Sequence, residues 1–432
     1  MLILYSVALG LVLAVGAPWW LLRMVTSGKY REGLTERLGI IPRRIRRSLD
    51  EQQGRPLIWL HAVSVGEVLA ASRLIDELGQ SFGSSANQPW QVVVSTTTRT
   101  GQKLARERFG AGRVFYLPLD FAFAVRAWLR VLRPRMVVLV ETEFWPRLLV
   151  ECRRAGIPAG VVNARISDRS WPRYRRLRRL WRPLLNGLAA VLAQTDLDAD
   201  RLRALGAGAS MNGVQVAGNL KYDIRTAKPA PITALIREQL PPATRVLVCG
   251  STLPGEEELI LDALPPDAVT ILAPRHPERF EAVAQLVTRR KAPWVRRSRW
   301  GAAPTRLQPG TVLLLDSIGE LASVYSLASA AFVGGSLVPA GGHNPLEPAQ
   351  FGVPILMGPS YENFRGIVER LREHDAIRII ELGELSPALN RILADDPQTQ
   401  AMGARARLLF EREAGATARV VQALTAVLEQ SR

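Results

Sequence analysis

A chain of 432 residues exceeds one ordinary core, so two domains of roughly 200 residues each are expected. Hydrophobic content of 47% with 22% charged residues excludes an intrinsically disordered chain. A net charge of +17 favours polyanionic partners: nucleic acid, anionic lipid head groups or phosphorylated substrates. Cys152 and Cys249 are the only cysteines, each inside an apolar or helical run. They suit reduced, buried thiols in a cytoplasmic protein and do not make a disulfide framework.

Residues 2–22, LILYSVALGLVLAVGAPWWLL, carry no charge and match the roughly 20 residues that cross a bilayer. A signal peptide places positive charge before its apolar stretch. Here the charges follow, at Arg23, Lys29 and Arg31, with Trp19 and Trp20 at the boundary. The positive-inside bias then puts everything after Arg23 in the cytoplasm. A helix lying in one leaflet, or packed on a partner, also fits these residues and Pro18. Residues 1–25 are therefore expected to form a membrane anchor of one kind or the other.

After a basic, polar connection (residues 28–55), short apolar runs alternate with helical patterns. The runs are LIWLHA from Leu57, QVVVST from Gln91, RVFYLP from Arg113, MVVLVE from Met136, IPAGVVN from Ile157, AAVLAQ from Ala189 and VQVAG from Val214. Continuous apolar strands between helices imply a sheet covered on both faces, hence a doubly wound α/β domain over residues 26–223. Pro229, Pro231, Pro241 and Pro242 then mark a linker, residues 224–244. The alternation restarts at RVLVCGS (Arg245), followed by VTILAP, TVLLLD, AAFVGG, VPILMG and AIRII, which predicts a second α/β domain over residues 245–432 with terminal helices. Two such domains correspond to the GT-B architecture, two Rossmann-like sheets facing a cleft, with acceptor on the first and nucleotide donor on the second.

In HAVSVGE, a strand ends near His61 and Glu67 falls in the first turn of the next helix. A carboxylate there is favoured by the helix dipole and is placed to take a proton from an attacking hydroxyl. It is equally a helix cap. In VLVETEFWP, Glu141 and Glu143 leave a strand end on the same side, or serve with Thr142 as helix-start residues. GNLKYD places Lys221 after a short strand, either as a solvated charge or as a partner for phosphate or carboxylate.

The second domain carries CGSTLPGEEE, a strand, a small-residue turn and an acidic helix start. LAPRHPERF puts Arg275 and His276 directly after a strand, and Arg offers a planar donor fork for phosphate or carboxylate. DSIGEL, with Ile318, Gly319 and Glu320, is another strand-to-helix turn. In FVGGSLVPAGGHNPLEPAQFGVP, glycines free the backbone to approach a ligand, and Asn344 is placed to cap a helix beginning at Pro345. Its amides would bind phosphate and Glu347 would meet ribose hydroxyls. The four histidines lie far apart and no paired-Asp motif appears, so no metal ligand set is expected.

RSWPRYRRLRRLWRPLL, residues 169–185, reads as a basic amphipathic helix with Trp171, Tyr174, Leu177, Trp181 and Leu184 on one face. Such a helix suits an anionic membrane surface; nucleic-acid binding and a core-facing helix are its other uses. The run Arg296, Arg297 and Arg299 has no assigned role.

The N-terminal anchor, HAVSVGE, ETEFWP, GNLKYD, APRHPERF and GGHNPLEPAQFGVP occur in the order found in 3-deoxy-D-manno-octulosonic acid (Kdo) transferases. The chain resembles that family over nearly its whole length. The resemblance implies a GT-B enzyme at the cytoplasmic face of the Gram-negative inner membrane. Its reaction would move Kdo from CMP-Kdo to a lipid A precursor in lipopolysaccharide biosynthesis, with inversion and without a dedicated metal or other cofactor. It implies that Glu67 is the general base and that Glu141 and Lys221 stabilise the transition state. The CMP site would comprise Pro274, Arg275, Ile318, Gly319, Glu320, Asn344, Pro345, Leu346 and Glu347. Implied partners are CMP-Kdo, the lipid A precursor and anionic membrane lipids, with no nucleic acid. Two other readings stay open: a transferase using another nucleotide sugar, such as a UDP-linked one, and a membrane-anchored polyanion-binding protein without catalysis.

Overall fold

A computed structural model describes residues 2–27, 31–51, 55–80, 90–208, 213–224, 230–300, 305–394 and 396–430. Gly28, Lys29 and residues 225–229 of the expected linker, including Pro229, lie outside them. The chain divides into two compact units, Met1–Ile224 with Ala414–Arg432, and Arg225–Glu413.

The first unit holds seven parallel strands: β1 (Leu57–His61), β2 (Gln91–Thr96), β3 (Val114–Tyr116), β4 (Met136–Val140), β5 (Ala159–Ala164), β6 (Ala190–Ala193) and β7 (Val214–Val216). Their order is β3-β2-β1-β4-β5-β6-β7. Every residue of β1 and β4 is buried, because helices cover both faces. Trp59, Phe115 and Trp128 fill one side; Ile58, Leu60 and Leu74 fill the other. The second unit repeats the plan with β8 (Arg245–Thr252), β9 (Ala268–Pro274), β10 (Trp294–Arg296), β11 (Val312–Leu314), β12 (Ala330–Val333), β13 (Ile355–Met357) and β14 (Arg378–Ile379). Their order is β10-β11-β9-β8-β12-β13-β14, all parallel. These are the two doubly wound sheets of a GT-B chain.

Three sequence expectations change. The described part of the expected linker contains a helix, Pro231–Gln239, whose Ile232 and Ile236 are buried in the core of the second unit. Pro231 sits in its first turn, where a missing N–H costs nothing. The last helix, Ala416–Gln430, belongs to the first unit, where Val420, Leu424 and Val427 join the core. Residues 169–185 form two short helices, Trp171–Arg176 and Arg178–Leu185, broken at Leu177. Trp171, Tyr174 and Trp181 turn inward against the core beside Phe144, so the aromatics are structural and do not lie on an outward membrane face. The arginines and Leu177 and Leu180 stay outside.

Candidate active site

From β1 the chain winds toward β3, and from β4 toward β7, so the carboxyl ends of β1 and β4 flank the topological switch point of the first sheet. Glu67 enters from the β1 side, in the first turn of the helix Val65–Gln80. Its carboxylate accepts the Val63 N–H at 2.8 Å and the Ser64 hydroxyl at 2.9 Å. The Ser64 oxygen faces the Glu67 N–H at 3.4 Å, completing a reciprocal cap. The cap holds the carboxylate in place without removing it from the switch point. Burial raises the Glu67 pKa to about 7; Glu141 adds to the rise, and the Val63 and Ser64 hydrogen bonds oppose it.

Glu141 follows β4 directly and adopts φ 61°, a left-handed conformation unfavourable for a side chain with Cβ. Its N–H donates to the Val162 carbonyl at 2.9 Å, which holds that turn. Thr142 and Glu143 belong to this turn, and the following helix begins only at Pro146. Burial and Glu141 push the Glu143 pKa upward. Lys221 Nζ lies 3.7 Å from the Glu141 carboxylate. Glu67, Glu141 and Lys221, distant in sequence, therefore meet at one place.

The turn Leu220–Asp223 that carries Lys221 is fixed by residues not singled out from the sequence. Buried Asn163, at φ 53°, accepts the Leu220 N–H at 3.0 Å. Asn219 accepts the Lys221 N–H at 3.0 Å and donates to Gln194 at 3.0 Å. Asp223 accepts the Gly415 N–H at 2.6 Å and the Thr417 N–H, latching the last helix to this turn. Asn163 is the last residue but one of β5, and an amide within such an apolar run is the one sequence signal available for it. His61 is fully buried, with Nδ1 2.9 Å from the Ser95 hydroxyl. Burial lowers its pKa to about 4, so it is neutral beside Trp145.

In the second unit the switch point lies between β8 and β12. Fully buried Glu256 spans it: its two oxygens accept the N–H groups of Leu253, Gly335, Ser336 and Leu337 at 2.7–2.9 Å. The glycine-rich loop is thus shaped by a carboxylate. Pro274 ends β9, and Arg275 follows it with an exposed guanidinium and its N–H on the Thr252 carbonyl. Burial raises the Glu347 pKa to about 7, while Arg275 and the Asn344 side chain hold it down. Burial also lowers the His343 pKa to about 4, helped by Arg275 and His276.

The expected phosphate-binding helix is corrected. Leu346–Ala349 is a single turn, too short for a useful dipole, with Pro345 at its N-cap position. Asn344 does cap it, but by accepting the Leu346 N–H at 3.1 Å, and Pro345 has no N–H. Ile318 and Gly319 stand in an exposed turn after β11, the Gly at φ 87°. Glu320 is gripped by both Nε and Nη2 of Arg297, at 3.1 and 2.9 Å, and by the Ser317 hydroxyl. Arg296 pairs with Asp316 and Glu281. Arg296 and Arg297 of the unassigned run thus brace this turn.

A sequence model described as 3-deoxy-D-manno-octulosonic-acid transferase (kdotransferase) matches residues 32–224. Over 423 residues, 94% of each chain, the protein is 32% identical to the 3-deoxy-D-manno-octulosonic acid transferase of Haemophilus influenzae. It belongs to the Kdo transferase family. The Bordetella pertussis Kdo transferase is 34% identical over 388 residues, covering 85% of this chain and 86% of the relative. The structure of MurG from Acinetobacter baumannii, at 16% identity and TM-score 0.53, covers 85% of this chain and 98% of its own. That likeness bears on the fold alone and agrees with the GT-B plan. The chain is thus a Kdo transferase with a carboxylate–carboxylate–ammonium group at the switch point of its first unit.

Proposed function

We propose that this Kdo transferase moves Kdo from CMP-Kdo to the primary hydroxyl of the distal glucosamine of a lipid A precursor, inverting the anomeric carbon, with Glu67 as general base. The convergence of Glu67, Glu141 and Lys221 carries the reading. A carboxylate with a pKa near 7 is both ionised often enough and basic enough to take a hydroxyl proton at neutral pH. The acceptor oxygen bonds to the anomeric carbon, the bond from that carbon to the CMP phosphate oxygen breaks, and the hydroxyl proton passes to Glu67. CMP departs as an anion, with Arg275 placed to compensate its phosphate charge. Glu141 keeps the base strong and Lys221 balances the added negative charge. The N-terminal helix, apolar enough for a bilayer, and the outward arginines hold the enzyme at the cytoplasmic face of the inner membrane, beside its lipid acceptor.

The test is incubation of the purified protein with a CMP-Kdo-generating mixture and tetra-acylated lipid A precursor, followed by mass spectrometry of the lipid. The expected product is heavier by whole Kdo units. An unchanged lipid, with donor intact and protein folded, would contradict the donor and acceptor assigned.

A further inference from the structure

The N-terminal helix, Leu2–Ser27, has 26 residues and so measures about 39 Å, enough to cross a bilayer. Its contacts argue against crossing. Near its start, the Tyr5 hydroxyl donates to Asp120 at 2.9 Å. The same Asp120 carboxylate accepts the Arg147 and Leu148 N–H groups at 2.8 Å, so it is built into the first unit and cannot follow the helix elsewhere. Leu2 lines a groove of about 650 Å³ with Val150, Arg153, Arg154, Pro183 and Leu184 of that unit. Beyond the other end, Glu32 pairs with Arg106 at 2.9 Å and Glu36 accepts the Tyr116 N–H at 2.7 Å. A spanning helix has its ends on opposite sides of about 30 Å of hydrocarbon, and one water-soluble unit cannot hold both.

Exposure along the helix agrees. Partly covered positions, among them Leu2, Tyr5, Leu9, Leu13 and Trp20, recur at helical spacing. Between them Ile3, Val7, Leu11, Val15 and Leu22 stand exposed, Ile3 at 79% and Val15 at 81%. One apolar face is thus left outward along the whole length. Charge identifies what covers it. Arg23, packed on the Trp19 ring at 4.7 Å, closes one end of the helix. Arg153 and Arg154 flank the groove at the other, continuous through Pro183 and Leu184 with the helix that carries Arg178, Arg179 and exposed Leu180. An apolar strip edged by cations matches the acyl chains and acidic head groups of an anionic leaflet.

We propose that the N-terminal helix lies in the plane of one anionic leaflet, clasped to the first unit by Tyr5 and Asp120, with lipid filling the groove beside Leu2. This rests on the membrane association proposed above and deepens it from an anchor to a one-sided seat. It keeps the first unit against the leaflet surface, where a tether through a spanning helix would leave it free to tumble.

A Leu2→Cys/Arg153→Cys protein leaves the clasp intact, and Cys152 and Cys249 are buried, with the unsubstituted chain as background. The full-length protein is bound to phosphatidylethanolamine vesicles with or without phosphatidylglycerol, treated with a short bismaleimide and read by mass spectrometry. The expected result is a cross-link within one chain in the vesicle pellet, with binding about tenfold or more weaker when phosphatidylglycerol is omitted. A cross-link in detergent that disappears in vesicles would show that the helix leaves the unit to span, and would overturn the proposal. A cross-link between two chains would overturn it in favour of a second copy on the apolar face. Equal binding to both vesicles would overturn the anionic lipid as occupant. The pellet reads membrane association and the cross-link reads the seat, so failure of one is distinguishable from failure of the other.

Discussion

The Lys221 ammonium stands 3.7 Å from the Glu141 carboxylate, and that carboxylate also pushes the Glu67 pKa upward. Glu141 therefore has two opposite neighbours: it attracts the cation and discourages a second negative charge at Glu67. The arrangement yields a base that holds its proton near neutrality close to a cation.

The acid limb of kcat/KM should accordingly fall near pH 7, with rate rising as Glu67 loses its proton. Glu141→Gln removes one source of the upward shift, so the limb should move to lower pH. The rate at pH 8 should drop about tenfold or more as Lys221 loses the Glu141 carboxylate. A pH profile of both proteins checks this; an unmoved limb would count against the coupling.

Stability should show the opposite side of the same shift. A pKa raised from 4.5 to about 7 means that the folded state binds the Glu67 proton more tightly than the unfolded chain. The stability so gained is complete below the unfolded pKa and is lost as pH rises through about 7. Glu67→Gln does not ionise, so it should gain on the parent with rising pH, by on the order of 3 kcal/mol at pH 8. Unfolding of both proteins at pH 5 and pH 8 reads the trend.

Asp223 joins the Lys221 turn to the last helix, so Asp223→Ala should loosen both. Two buried or half-buried amides lose a charged acceptor, for about 2–4 kcal/mol of destabilisation. Turnover should fall more than nucleotide binding, since Arg275 and Glu347 lie in the other unit. Thermal melting, turnover and CMP titration separate these effects.

Much of this was legible from sequence, and the limits are physical. Unbroken apolar runs such as MVVLV report parallel strands because both faces are covered, and small-residue turns after them report the ligand edge. Glu67 reads as either cap or base; the structure shows the cap and leaves the carboxylate at the switch point. The last helix misled because apolar periodicity shows that a helix is buried without showing against which sheet; its latch depends on Asp223, far away in sequence. Residues 169–185 read as outward because a helical wheel cannot tell core from membrane, and their aromatics pack against Phe144. Glu256 looked like one more acidic helix-start residue, and only the fold brings the amides of Gly335, Ser336 and Leu337 to it.

Arg297 is the second-unit residue with the clearest expected effect. Arg297→Ala should free Glu320 and relax the exposed turn at Ile318 and Gly319, weakening CMP binding about tenfold. Its partly exposed pair with Glu320 should contribute only about 1 kcal/mol or less to stability. Calorimetric titration with CMP beside a melting curve distinguishes loss of the brace from loss of the fold.

Single-turnover transfer by Glu67→Gln, with CMP-Kdo and lipid A precursor, tests whether Glu67 takes the acceptor proton. The amide oxygen can still accept the Val63 N–H, so cap, fold and CMP affinity should persist while the transfer rate falls by about a thousandfold or more. Transfer at the parent rate, with CMP bound as before, would contradict the assignment of Glu67 as the base.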